Sequence, residues 1–208
     1  MTHSLSIGTD SGRALLLDFQ ATLETKPEKA IKLEKDALAQ IETITVDNAR
    51  LVSNLHANLG GLYRMNGHPD LAREHMEKGI SLLDQFNLLH INDSIPQIAN
   101  YAMFLTEQQE PERGISELQK LSGIIKEYHS DHCLDYAKVQ ETLGTIYLMT
   151  ANLPQAKTHF KRAFKIYEKI WTDEPEMIEA KYQEIQELYP QVGFFLGQQL
   201  SDFLTKQT

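Results

Sequence analysis

The sequence predicts an all-α fold, a superhelical solenoid of about five antiparallel helix pairs. Three observations predict it. Apolar residues recur at spacings of three and four, as they do along one face of a helix. Residue types repeat at a step of 42, so that the small residue Gly60 is followed by Ala102. Prolines that can open a helix stand at the same step, at Pro27, Pro69 and Pro111. Internal repetition with a period of roughly 20–50 residues is typical of solenoids.

The first repeat follows from capping residues and apolar spacing. Asp10 or Ser11 is expected to cap helix one, which ends near residue 23. Its apolar side is predicted to consist of Leu15, Leu16, Phe19 and Leu23. Pro27 opens helix two, which is expected to run to about residue 44.

The later elements follow in the same way, with Asp47 predicted as the N-cap of helix three and Asp93 or Ser94 as that of helix five. The expected bounds of helices three to ten are about 48–65, 69–86, 95–107, 111–128, 133–149, 153–171, 175–189 and 191–206. This organisation gives a flexible terminus at 1–9, repeats over 10–190 and a C-terminal capping helix over 191–208. The repeats are about 10–46, 47–92, 93–131 and 132–173, with 174–190 as the first helix of the last pair. Because the last helix must cover the end of the stack, its apolar face is expected to point inward.

Small residues at fixed positions predict close helix contacts within each pair. Gly60 on the first helix and Ala72 on the second are expected where two backbones approach. Glycine inside a helix costs about 1 kcal/mol relative to alanine, so close packing must compensate. Large residues such as Met76, and Phe160 two repeats later, are expected to fill the space between helices.

Composition excludes several classes of function. The 208 residues are 41% hydrophobic and 24% charged, which is enough apolar material for a core. The net charge of −9 and the lack of a basic run argue against a nucleic-acid or membrane partner. The single Cys133, the polar start of the chain and the lack of a long apolar run favour a cytoplasmic location.

The repeated residues resemble the tetratricopeptide repeat. Its pattern of Leu-Gly-x-x-Tyr in the first helix, followed by small and large residues in the second, is matched over residues 59–63 and 143–147. The 42-residue step and the linker before Pro175 are similar to the kinesin-light-chain type of repeat. The third pair departs from the pattern at Tyr101-Ala102 and at Leu121.

The resemblance implies a concave groove, lined by first helices, that binds a peptide or a protein segment. The groove-facing positions that it implies are Asn54, Asn58, Gly61, Met65, Asn100, Met103, Glu107, Lys138, Glu141, Thr145 and Met149, with Arg64 beside them. Asn58 and Asn100 stand one repeat apart, so their carboxamides could pair with a peptide backbone. The alternative is that both are solvated helix residues. Arg64 and Lys138 alone do not form the basic clamp that some members of the family use for a terminal carboxylate.

No motif in the sequence predicts catalysis, a metal site or a cofactor. His129, His132 and Cys133 lack a complementary ligand pair and are interpreted as a polar turn. His56, His68 and His75 are interpreted as surface groups. Phosphate-loop, nucleophile-elbow and zinc-protease patterns do not occur.

The sequence therefore favours a non-catalytic binding scaffold. Two alternatives remain at this point. One is a peptide-responsive regulatory module that sequesters a partner protein. The other is an adaptor that forms a homodimer through the C-terminal helix, using Phe194, Phe195, Leu196 and Phe203.

Overall fold

A computed structural model of the chain describes residues 3–188 and 190, with side chains over 10–187 and at 190. Within these residues it contains nine helices and no strand. They are α1 (His3–Leu23), α2 (Pro27–Ala39), α3 (Val46–Met65), α4 (Pro69–Gln85), α5 (Ser94–Glu107), α6 (Pro111–Tyr128), α7 (Leu134–Met149), α8 (Leu153–Ile170) and α9 (Pro175–Leu188). The predicted all-α helical-repeat fold is confirmed. The predicted capping helix and the dimer-forming phenylalanines lie outside the described residues.

The chain divides into two compact units between Phe104 and Leu105, within α5. In the first unit α1 packs on α2, α2 on α3 and α3 on α4. In the second unit α6 packs on α7, α7 on α8 and α8 on α9. The second helix of each pair begins at residue 27, 69, 111 or 153, so the 42-residue step of the sequence is also the step of the structure.

Close contact between paired helices depends on a glycine in each unit. A Cβ atom added to Gly60 of α3 would lie 2.5 Å from Cγ of Met76 and 3.2 Å from the carbonyl oxygen of Ala72, both on α4. At Gly144 of α7, the equivalent atom would lie 3.0 Å from the ring of Phe160 on α8. Met76 and Phe160 are buried. The small and large positions predicted from the repeat therefore meet as expected.

The predicted apolar face of α1 is wrong. Leu15, Leu16, Phe19 and Leu23 are exposed, and Leu23 has 67% of its surface accessible. The buried residues of α1 are instead Ala14 and Ala21, and Leu17 packs beside Ala14 against α2 and α3. Small side chains allow α1 to lie close to its neighbours, while its larger apolar stripe faces away from them.

The boundaries of the first two helices also differ from the prediction. α1 begins at His3 and includes most of the expected flexible terminus, because neither proline nor an earlier turn interrupts it. α2 ends at Ala39, not near residue 44. The start of α3 is held by Asn48 and not by Asp47. The Asn48 side-chain oxygen accepts a hydrogen bond from the Thr45 N–H at 2.8 Å, and its amide donates to the Thr43 carbonyl at 2.9 Å.

The turn before α7 has the structural role predicted for it. The Cys133 thiol donates to the carbonyl oxygen of Ser130 at 3.1 Å, and its sulfur accepts from the Tyr136 N–H at 3.5 Å. Cys133 is therefore the N-cap of α7.

We expect Gly60→Ala to lower the free energy of unfolding by about 1–3 kcal/mol, because the added methyl group overpacks the contact with Met76. Gly61→Ala is the matched control, since a Cβ atom there meets nothing within 4 Å. That variant should gain up to about 1 kcal/mol from helix propensity. Urea denaturation measures both. Equal effects at the two neighbouring glycines would contradict this account of the packing.

Candidate functional site

A shallow pocket opens in the first unit between two consecutive first helices, α3 and α5. Its volume is about 160 Å³. The lining residues come from α3, α4 and α5 and are Ala57, Gly61, Arg64, Met65, Met76, Gln97 and Asn100. Met65 is 80% exposed at its rim. An exposed methionine is a flexible apolar surface that can adapt to different side chains.

Gly61 is the part of this pocket that internal packing does not explain. Its neighbour Gly60 is required by the contact with Met76, but a Cβ atom at Gly61 would enter open space. A glycine in mid-helix carries a propensity cost of about 1 kcal/mol. At Gly61 its effect is to leave the pocket wall flat and the backbone accessible.

Polar contacts between α3 and α5 fix one wall of the pocket. The Gln97 amide donates to the Asn54 side-chain oxygen at 2.7 Å, and the Ser53 hydroxyl donates to the Gln97 oxygen at 2.8 Å. Asn54 also donates to Asp93 at 3.1 Å. Asp93 binds Arg50 through contacts of 2.5 and 2.9 Å, and this guanidinium lowers the pKa of the Asp93 carboxyl. Asn54 therefore supports the pocket without lining it.

Asn58 does not reach this pocket in the structure. Its amide donates to Asp18 of α1 at 2.9 Å and to Glu34 of α2 at 3.1 Å. Asn100, its partner in the predicted ladder, lines the pocket. The two carboxamides thus lie in different surroundings, and Asn58 would have to leave the carboxyl groups of Asp18 and Glu34 to bind a peptide.

Glu34 was not anticipated from the sequence. It is only 2% exposed, and its Oε2 atom has no hydrogen-bond partner. Burial, together with the nearby negative charge of Asp18, raises the pKa of the Glu34 carboxyl to about 8. A glutamate in an amphipathic helix normally predicts exposure, but the repeat register signals burial here. Glu34 stands 42 residues before the buried Met76, on the face of α2 that Ala30 and Ala37 share.

The second unit contains a pocket of about 300 Å³ between α7, α8 and α9. Its lining combines an aromatic floor with a charged rim and consists of Leu134, Lys138, Tyr167, Trp171, Met177, Ala180, Lys181 and Glu184. The rings of Tyr167 and Trp171 are stacked with their centroids 4.9 Å apart. Such a floor offers a flat apolar surface to an inserted side chain.

A charged network holds this second floor in place. The Tyr167 hydroxyl donates to Glu141 at 2.7 Å, and the Lys181 ammonium lies 2.9 Å from Glu141 and 2.9 Å from Glu184. Burial and the neighbouring Glu141 charge raise the pKa of Tyr167, so the phenol stays protonated. Glu141 is thus committed to internal contacts.

The two pockets share two lining positions of the repeat. Lys181 and Glu184 follow Gln97 and Asn100 by 84 residues, which is two repeats. Repeat register could have predicted both α9 residues from their α5 equivalents. The repeat register did not predict the other lining residues Trp171 and Met177. Trp171 lies in the linker after α8, and Met177 lies in the first turn of α9.

The predicted groove residues are therefore divided. Gly61, Arg64, Met65 and Asn100 line the first pocket, and Lys138 lines the second. Thr145 is buried and its hydroxyl donates to the Glu141 carbonyl at 3.1 Å. Met103 is half-buried, Glu107 and Met149 are exposed, and none of these three lines a pocket described here. Their role in binding stays a prediction.

Two of the histidines interpreted as surface groups form a half-buried pair. The Nδ1 atoms of His56 and His75 lie 2.9 Å apart, and the ring of Tyr63 stacks on His75 at 5.4 Å. Burial, and then the His75 charge, lowers the pKa of His56 to about 4. Within the described part of the chain, no three His, Cys, Asp or Glu side chains are grouped to hold a metal.

The same arrangement recurs 84 residues later with glutamine in one place. The His159 Nδ1 atom lies 2.9 Å from the Gln140 oxygen, and Tyr147 stacks on His159 at 5.3 Å. Burial and the Arg162 charge lower the pKa of His159 to about 4. A histidine with a lowered pKa that stacks on a tyrosine therefore occurs in both the α3–α4 pair and the α7–α8 pair.

The sequence and the fold are similar to those of known helical-repeat proteins. The family model of the tetratricopeptide repeat matches residues 94–169. The fold is similar to that of BtubC (BKLC) from P. vanneervenii, with a TM-score of 0.68 at 16% sequence identity, over 100% of this chain and 90% of that chain. Residues 94–169 are therefore similar to tetratricopeptide repeats, and the chain has an all-α helical-repeat fold. At this identity, the likeness to BtubC shows the fold alone.

No curated protein matches the sequence significantly. Tetratricopeptide repeats generally mediate protein–protein interaction, and the family is generally non-catalytic. Among the described residues of this repeat protein, no helix has both the length and the hydropathy that a membrane span requires.

We expect Glu34→Gln to stabilise the protein at about pH 8 and to have little effect at about pH 5. The folded state holds a proton on Glu34 that the unfolded state loses, so wild-type stability falls as pH rises from about 4.5 to 8. The glutamine amide of the variant can donate to Asp18 at both pH values. Because it does not titrate, its contribution to stability is not lost as the pH rises. Thermal unfolding at the two pH values measures the effect. The exposed Glu42→Gln is the control for charge, and an equal gain in both variants would refute the assignment.

We expect His56→Gln to reduce the loss of stability in acid. Because the pKa of His56 is lowered in the folded state, the unfolded state takes up the proton first, and stability falls as pH drops from about 6.5 to 4. Glutamine reproduces the Gln140–His159 contact and does not titrate. Urea midpoints at about pH 7 and pH 4.5 test this, with the exposed His129→Gln as the control. An unchanged acid loss in His56→Gln would contradict the prediction.

Proposed function

We propose that this protein is a non-catalytic scaffold that holds a peptide segment of a partner protein on its first helices. The observation that carries the proposal is a pocket in each unit that includes a first helix, with two lining positions of one pocket, Gln97 and Asn100, repeated in the other as Lys181 and Glu184. Each pocket has apolar walls and a polar rim, which suits a peptide that presents side chains at intervals.

The proposal is also supported by surface features that internal packing does not require. Gly61 keeps one pocket open at a cost in helix propensity, and Met65 exposes an adaptable apolar side chain. In the other pocket, Trp171 and Tyr167 present stacked rings. Aromatic residues in concave sites are enriched among residues that dominate binding energy.

The test starts from peptides selected on the wild-type protein from a random display library. Gly61→Leu fills the first pocket, and Trp171→Ala removes half of the floor of the second. Gly123→Leu is the matched control, because its added side chain also starts in open space but on α6, away from both pockets.

We expect at least one pocket variant to weaken binding by about tenfold or more, measured by fluorescence anisotropy, while Gly123→Leu changes it by less than about twofold. A roughly tenfold loss of affinity corresponds to one apolar peptide side chain that is no longer buried in its pocket. Circular dichroism should be unchanged in all three variants. Peptides that bind both pocket variants as tightly as wild type would refute the proposal.

A further inference from the structure

A basic cavity lies in the second unit, on the second helices α6 and α8 and not between first helices. Its volume is about 400 Å³. Four cations line it: Lys126 from α6, and Arg162, Lys165 and Lys169 from α8. The three α8 residues are spaced by three and four, so they project from one face of that helix. Tyr136 and Ile166 form its apolar floor, and Asp131 and His132 lie at its edge.

Among the described residues, the four cations have no acidic partners. In the part of the chain that the structure describes, none of them forms an ion pair, whereas Lys120, Lys138 and Lys181 of the same unit each contact a carboxylate within 4.0 Å. Arg162 donates to the Gln140 oxygen at 3.2 Å, and the Lys126 ammonium lies 5.2 Å from the centre of the Tyr136 ring. Asp131, the one carboxylate at the edge, contacts His132.

This concentration of charge is not a product of the repeat. The positions two repeats earlier hold Glu42, Lys78, Ser81 and Gln85. Of these only Lys78 is basic, and it pairs with Glu74 at 3.3 Å. Four cations that line one cavity and form no ion pair with a described residue repel one another, although the net charge of the protein is −9. A bound anionic group would relieve that repulsion.

The spacing of the charges indicates what kind of anion fits. Arg162 and Lys169 are seven residues apart on α8, which separates them by about 10 Å along the helix axis. A single phosphate group is too small to contact cations distributed over that length. In an extended chain, alternate side chains on one face are about 7 Å apart, and the side chains between them can be apolar. Charges at alternate positions thus lie on one face and can reach the cations, while the side chains between them point away from the cavity.

We propose that this basic cavity binds an extended acidic segment of a partner protein, through Lys126, Arg162, Lys165 and Lys169. The surface is separate from the first-helix pockets. Its occupation is therefore independent of whether those pockets bind peptides.

The test uses a fluorescein-labelled peptide of alternating glutamate and leucine, and the same peptide with glutamine in place of glutamate. Binding to the full chain is measured by fluorescence anisotropy at about 0.05 M and about 0.3 M NaCl. The variant is Lys165→Glu/Lys169→Glu. Its matched control is Lys157→Glu/Lys161→Glu, which makes the same charge change on exposed positions of α8 outside the cavity. Circular dichroism checks that both remain folded.

We expect the acidic peptide to bind, with an affinity that falls at the higher salt concentration, and the glutamine peptide not to bind. The cavity variant should weaken binding by about tenfold or more, and the control by less than about threefold. Equal weakening by the two variants would show non-specific attraction and overturn the proposal. It would also be overturned if wild type did not bind at about 1 mM peptide, or if inorganic phosphate bound in the cavity and the peptide did not.

Discussion

The close approach of paired helices is the constraint on which the rest of the structure depends. At Gly60 and Gly144 the first helix has no room for even one more carbon atom, because Met76 or Phe160 of the second helix occupies it. That contact sets the distance between the helices of a pair. It also places the histidine–tyrosine stack a short distance along the same interface, at His75 and Tyr63 in one pair and His159 and Tyr147 in another. Surface pockets can form between successive pairs because each pair is itself tightly packed.

Features determined by nearby residues were predictable from the sequence. Prolines and apolar spacing located the starts of α2, α4 and α6, and the repeat located the small residues at helix contacts. The orientation of α1 was not predictable, because the helix carries two apolar stripes. Leu15, Phe19 and Leu23 form the more hydrophobic one, but contact with α2 and α3 requires the one with alanines. The contacts given for α1 are with α2 and α3, and apolar spacing alone does not show which of its two stripes those helices cover.

The candidate sites were only partly predictable for the same reason. Family resemblance identified Gly61, Met65 and Asn100 on the first pocket, since helix period and repeat register are enough to place a residue on a face. It did not predict the contacts of Asn58, which depend on carboxyl groups from two other helices. The basic cavity was missed altogether. Lys126 is more than 30 residues from Arg162, and in the sequence each cation resembles an ordinary solvated lysine or arginine.

The buried carboxyl of Glu34 has a thermodynamic consequence. The net charge of −9 counts every glutamate as ionised, but near neutral pH Glu34 retains its proton in the folded protein, since its pKa is about 8. When the chain unfolds, this carboxyl returns to its ordinary acidity and releases the proton to the solvent. The measured enthalpy of unfolding then includes the heat of protonating the buffer. Calorimetry in Tris and in phosphate at about pH 8, where His56 and His159 are neutral in the folded and unfolded states, should therefore differ, because the two buffers take up a proton with different enthalpies.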